Sequence, residues 1–196
     1  MKEYDLLARQ NQKRAFEILS ELKIIELWES YGCRVNLIGS LAMKLLVKHL
    51  DIDLHVYSSE ITEESSFEIA AQIAKNKRVK ELKCINGLHT DEHCIAWHIF
   101  YEDIDGRIWQ FDIIHIESDT QYDGYFEKMA QQINEILDDE KRERIMRLKY
   151  ETPENEEIHG VEYYQAVIED NVTSLEDLRE WVKTHRNPNG IYWIPD

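Results

Sequence analysis

The stretch Leu37-Ile-Gly-Ser-Leu-Ala-Met-Lys-Leu-Leu-Val-Lys-His-Leu-Asp-Ile-Asp-Leu-His-Val56 limits what this chain can fold into more than any other. Val35 to Ile38 is a short apolar run that reads as a strand, and a Gly39-Ser40 turn follows. Leu41 to His49 is about one helix's worth of sequence, with Ala42, Leu45 and Leu46 at helical spacing and Lys44 and Lys48 between them. Asp51 to Val56 then alternates polar and apolar, as a half-buried strand does. Alternation sends Asp51 and Asp53 to one face and Ile52 and Leu54 to the other. Two ionised carboxylates on one rigid strand repel each other unless water or a cation compensates. A hard divalent cation such as Mg2+, or Mn2+ in its place, suits them, shared with phosphate oxygens. Gly39 permits a tight turn and close approach of a ligand. Ser40, at the start of the helix, offers a hydroxyl and first-turn amides to an anion such as a phosphate. Lys44, one turn beyond Ser40, reads equally as a triphosphate contact or as a solvated helix lysine.

A third carboxylate comes later. Cys94 to Glu102 and Arg107 to Ile116 flank Asp103-Ile-Asp-Gly106, a hairpin loop. In the second arm Trp109, Phe111 and Ile113 line one face and Ile108, Ile114 and Ile116 the other, with Asp112 among the latter. A lone carboxylate in so apolar a strand is costly unless it is satisfied, so Asp112 is expected to face a site.

Gly39-Ser40, then Asp51 and Asp53, then Asp112 resemble the nucleotidyltransferase superfamily, which contains DNA polymerase β, the head domain of CCA-adding enzymes and the lincosamide and aminoglycoside nucleotidyltransferases. The resemblance spans roughly residues 32–118. His49-Leu50 stands where an Arg or Ser often precedes the first aspartate, and the Arg-Asp pair of CCA-adding enzymes is missing. The resemblance implies an α/β (α+β) nucleotidyltransferase fold, a short mixed sheet flanked by helices with a C-terminal helical extension. It further implies Mg2+ held by Asp51, Asp53 and Asp112, an NTP held by Gly39, Ser40 and Lys44, and Asp112 and Asp53 as catalytic groups. The implied reaction moves a nucleoside monophosphate to an acceptor hydroxyl.

The remaining sequence divides into residues 1–120, the expected core, and 121–196, an acidic helical region packed on it. Residues 4–30 read as one long helix, Thr62 as the N-cap of another, and Val79 to Ile85 as a strand ending at the Asn86-Gly87 turn. Asp123 is a candidate cap for a helix burying Met129, Ile133, Ile136 and Leu137. The basic cluster Lys141, Arg142, Arg144, Arg147 and Lys149 reads as a solvated helix face paired with nearby acids. Val161 to Asn171 is a short helix, Ser174 opens the last one with a capping box, and an Asn187-Pro-Asn-Gly190 turn precedes the end.

The 196 residues carry a net charge of −16, with 14 basic against 19 acidic residues over 1–116 and 9 against 20 over 117–196. Such a surface repels a phosphate backbone, so a small-molecule or protein acceptor is expected rather than long nucleic acid. The N-terminus carries no signal-peptide pattern, no apolar run reaches membrane-spanning length, and three irregularly spaced cysteines suit a reducing cytoplasm. Cys84, His89, His93, Cys94 and His98 fit no zinc spacing, and alternation puts His93 and His98 on opposite faces. No Gly-x-Ser-x-Gly, P-loop or Gly-x-Gly-x-x-Gly motif is present. Two other classes stay open: a non-catalytic nucleotide- or protein-binding module on the same fold, and a toxin–antitoxin component that modifies RNA or protein.

Overall fold

The computed structural model describes residues 2–186 and 192–195; the Asn187–Gly190 turn expected above lies outside them. Two helices open the chain, α1 (Glu3–Leu22) and α2 (Ile24–Ser30), where the sequence reads as one. The break is at Lys23, whose left-handed backbone (φ 50°) ends α1 and turns α2 so that Ile24 and Trp28 are buried. Then come β1 (Arg34–Ile38), the short α3 (Gly39–Ala42), β2 (Asp51–Ser58), α4 (Glu63–Ile73), β3 (Val79–Asn86), β4 (Cys94–Glu102) and β5 (Ile108–Glu117). The helix expected over Leu41–His49 stops after one turn. Lys44 takes a left-handed conformation (φ 59°), and the segment to Leu50 runs irregularly, burying Leu45, Leu46 and Val47.

The five strands form one mixed sheet in the order β1-β2-β5-β4-β3. Only β2 and β5 are parallel; the other pairs are antiparallel. Alternation along the strands gives the sheet two chemically different faces. Ile52, Leu54 and Val56 of β2, Ile95, Trp97 and Ile99 of β4 and Trp109, Phe111 and Ile113 of β5 all point to one face. There they meet Ile18 and Leu19 of α1, Trp28 of α2 and Ile69 and Ile73 of α4. Each such side chain, fully buried, is worth about 1.5–3 kcal/mol of transfer free energy, so this face holds the sheet in register. Thr62 caps α4 as expected, accepting the Ser65 amide at 3.1 Å. At the β4–β5 hairpin, buried Asp103 accepts the Trp109 indole, the Arg107 and Asp105 amides at 2.9 Å each. This satisfied carboxylate fixes the hairpin and with it the register of β4 against β5.

Four helices follow: α5 (Tyr125–Ile136), α6 (Asp139–Glu151), α7 (Gly160–Asp170) and α8 (Leu175–His185). Their apolar faces close a second core around Ile133, Leu148, Ala166, Val167 and Leu178, and Met43 and Leu45 insert into it from the segment after α3. The helices therefore hang on the chain that connects β1 to β2. Asp123 does not cap α5; Gly124 does, with φ 76°, while Asp123 pairs with Arg34 at 2.5 Å. Ser174 caps α8 by accepting the Asp177 amide at 3.1 Å. All three cysteines are free, and no helix among the described residues is long and apolar enough to cross a membrane.

Candidate active site

One rung of the sheet, read from β1 to β4, is Ile38–Asp53–Asp112–His98. Asp51 lies two residues before Asp53 on the same face, opposite the large core. The structure thus puts Asp53 and Asp112 side by side on the parallel pair at the middle of the sheet. His98 binds Asp112 Oδ1 through its Nδ1 at 2.5 Å, and Gln110 donates to the same oxygen at 2.8 Å. Both bonds fall on Oδ1, and Oδ2 is the oxygen available to an incoming group.

Gly39 is fitted to this rung. Its φ is 66°, and a Cβ added there would stand 1.9 Å from Asp53 Oδ2. No side chain fits between the β1–α3 turn and the Asp53 carboxylate. With Gly39 and Ser40 on one side and Asp51 and Asp53 on another, a cavity of about 390 Å3 opens beneath α7, lined also by His49, Met43, Lys149, Gly160 and Tyr164. Lys44 lines no part of it: its side chain is exposed.

The cation in this cavity is Lys149. The sequence reading placed it on a solvated face; the structure buries it, with Nζ donating to the Leu45 carbonyl at 3.0 Å and lying 3.5 Å from the Tyr164 hydroxyl. The reason is helical spacing: Lys149 follows Ile145 and Leu148 on the buried stripe of α6. Arg142, Arg144 and Arg147 bind the carbonyls of Met43, Asn171 and Thr173, so much of the cluster ties the helices to their neighbours. Burial draws the Lys149 ammonium down to about 8, while Asp53 and Asp51 hold it up. Burial, then the charges of Asp51 and Asp112, push Asp53 up to about 7. Asp51 is raised by burial and by Asp112. Crowded anions with a single buried ammonium form a site short of positive charge.

His98 was missed as a partner of Asp112, although the signal was present. A hairpin loop at Asp103–Gly106 fixes the β4–β5 register and puts residue 98 opposite residue 112. Nearby, His55 is buried and bonds Tyr57 Oη at 3.1 Å; Tyr57 donates to Glu127 of α5 at 2.8 Å, and Asn36 of β1 donates to Glu127 at 2.9 Å. This network fastens α5 across β1 and β2. Among the described residues no group of three or more His, Cys, Asp or Glu side chains is placed to hold a metal ion. All-oxygen donors on adjacent strands, with surplus negative charge, are nonetheless the donor chemistry that Mg2+ takes.

Among solved structures, a Cid1 poly(U) polymerase mutant bound to MgATP superposes with a TM-score of 0.59 at 14% identity, over 81% of this chain and 49% of that one. A GLD-2–GLD-3 poly(A) polymerase complex gives 0.57 at 12% identity, over 81% of this chain and 52% of that one. The fold is that of the nucleotidyltransferases. A GLD-2/RNP-8 complex extends the match in fold to 96% of this chain and 66% of that one, with a TM-score of 0.55 at 9% identity. The chain spans about half the length of the first two polymerases. No protein-family model and no curated protein matches the sequence.

Proposed function

We propose that this chain is a metal-dependent nucleotidyltransferase that moves a nucleoside monophosphate from an NTP to a hydroxyl on a small molecule or a protein. The observation that carries the proposal is the Ile38–Asp53–Asp112–His98 rung with Gly39 set against the Asp53 carboxylate. Asp51, Asp53 and Asp112 would hold Mg2+ or Mn2+, which supplies positive charge to the phosphate oxygens and lowers the pKa of the acceptor hydroxyl. Gly39 and Ser40 line the cavity where the triphosphate is held, and the Lys149 ammonium offsets its charge from the floor. Asp112 Oδ2 accepts the hydroxyl proton. His98 and Gln110, both bound to Oδ1, hold the carboxylate in the orientation that turns Oδ2 outward.

The test is Asp112→Asn, assayed by calorimetry with each NTP and Mg2+ beside pyrophosphate release. The variant should still bind nucleotide while turnover falls at least about a hundredfold. Intact turnover would remove Asp112 from the chemistry, and binding without turnover by the wild type across a broad acceptor screen would favour the binding-module reading. A second reading, transfer to an RNA end, is favoured by the polymerases that share the fold. The acidic charge of −16 weighs against it.

A further inference from the structure

The rung separates two cavities. The second, of about 340 Å3, is reached from the other side of Asp53 and shares Ile38, Asp53 and Phe126 with the first. Asp112 and His98 line this second cavity and not the first, whereas Lys149, Gly39 and Ser40 line only the first. If the triphosphate occupies the first, the hydroxyl that gives its proton to Asp112 arrives through the second. The walls of the second cavity therefore describe the acceptor.

Those walls are apolar and aromatic. Cys94, Ala96, Ile114 and Ile116, on the same sheet face as Asp112, form the floor. Tyr122, Phe126 and Tyr192 close over it; the Tyr192 ring lies 6.1 Å from that of Tyr122 and 5.7 Å from that of Phe126. No lysine or arginine is among the described lining residues. Besides the two aspartates of the rung, the acidic side chain among those residues is Glu92, on the loop before β4. Sites for single-stranded nucleic acid join stacking aromatics to a positively charged track. Here the aromatics are present and the lysine–arginine track is absent, so a phosphodiester backbone entering the cavity would meet the Asp53, Asp112 and Glu92 carboxylates and apolar walls, with only the imidazoles of His55 and His98 and tyrosine hydroxyls to offset its charge. A volume of this size, mostly apolar with a few polar groups, suits a small ligand.

We infer that the second cavity takes the acceptor, and that the acceptor is a small amino alcohol whose ammonium and hydroxyl stand at opposite ends of an apolar or aromatic body, the ammonium facing Glu92 and the hydroxyl facing Asp112, because Glu92 lies beyond Cys94, itself four residues or roughly 13 Å along β4 from the His98–Asp112 rung. This rests on the nucleotidyltransferase reading above. In the transfer the acceptor oxygen forms a bond to the α-phosphorus as the α-phosphorus bond to the bridging oxygen breaks. Pyrophosphate leaves with that electron pair, and the hydroxyl proton goes to Asp112.

The experiment uses the 196-residue chain with 2-[4-(aminomethyl)phenyl]ethanol as the probe, 2-(4-methylphenyl)ethanol and 4-(2-hydroxyethyl)benzoate as its neutral and anionic counterparts, and hexaadenylate as the RNA arm. Binding is read by saturation-transfer NMR and calorimetry without nucleotide, and transfer by pyrophosphate release with Mg2+ and NTP. The amino alcohol should bind most tightly and the benzoate least. Glu92→Gln should weaken the amino alcohol about two- to fivefold and leave the neutral alcohol unchanged, as the loss of one rim charge pair. Ala96→Phe should weaken both alcohols at least about tenfold by filling the floor, with NTP affinity intact as evidence of folding. Amino alcohol binding that is absent, or that ignores both substitutions, overturns the inference while the NTP arm still stands. Extension of hexaadenylate that Ala96→Phe does not slow overturns it in favour of RNA. Loss of Mg2+-dependent NTP binding in the wild type is a different failure, that of the nucleotidyltransferase reading itself.

Discussion

Replacing Gly39 with alanine separates a backbone cost from a site cost. The first part follows from φ: at 66°, an L-residue with a Cβ is strained by about 1–2 kcal/mol. The second follows from contact: the new Cβ would fall 1.9 Å from Asp53 Oδ2, 2.6 Å from Cγ and 2.9 Å from Cβ. The Asp53 carboxylate must swing away or the turn must move, and forced repacking of this kind costs about 1–3 kcal/mol. The total is about 2–5 kcal/mol. Gly106 supplies the control, since its φ is 77° and nothing lies within 4 Å of its added Cβ. Gly106→Ala should cost only the backbone part, about 1–2 kcal/mol. Urea unfolding of both variants gives the difference, and Mg2+-dependent NTP affinity by calorimetry gives its functional half, with Gly39→Ala weak and Gly106→Ala near wild type. Adding Asp53→Ala removes the two nearest atoms, so the excess cost of Gly39→Ala should largely vanish in that background. Equal destabilisation by the two alanines, with equal NTP affinity, would refute the argument that Gly39 exists to seat Asp53.

Lys149→Met should push Asp53 above its present value of about 7, because the cation opposing Asp51 and Asp112 is gone. A carboxyl whose folded pKa exceeds its unfolded one stabilises the fold at low pH and loses that contribution as pH rises to the folded value. Without added metal, stability of Lys149→Met should therefore keep falling past pH 7 relative to wild type; overlapping pH profiles from chemical denaturation would count against the buried pairing. His115 works in the opposite direction. Burial pulls its imidazole down to about 4 from 6.5, so its contribution is full above 6.5 and is lost as pH falls to about 4. The gap is worth about 3 kcal/mol, and His115→Gln should flatten the acid limb of the stability profile by up to that much.

What the sequence disclosed followed from period and order. Alternation in Asp51-Ile-Asp-Leu54 placed both carboxylates opposite Ile52 and Leu54, and the structure has them there. The mixed sheet flanked by helices, and a third carboxylate beside the first two, are instead what the resemblance to the nucleotidyltransferases implies, and the structure has them. The details that escaped depend on single backbone conformations or on distant partners. Lys23 and Lys44 both adopt left-handed geometry, so one helix became two and another ended after a turn. Neither residue type announces that geometry, which burial of Ile24 and Leu45 elsewhere in the chain imposes. Lys149 reads by charge as part of the solvated cluster, although Ile145 and Leu148 mark its stripe as buried. His98 belongs by composition to a Cys/His set, whereas its partnership with Asp112 follows only from the β4–β5 register.

The pairing of β2 with β5 also bears on how the chain reaches its fold. These strands are adjacent in the sheet, yet α4, β3 and β4 all intervene in sequence. Parallel pairing across so long a closure is slow, because chain entropy is spent before any contact rewards it. Here the same step brings Asp53 beside Asp112, so like charges meet just as the loop closes. Folding in the absence of a counter-cation therefore climbs an electrostatic barrier on top of an entropic one. An ion or a proton that neutralises the pair acts on assembly as well as on chemistry, and newly made chains that lack it stay longer with β2 and β5 unpaired and their edges open to other chains.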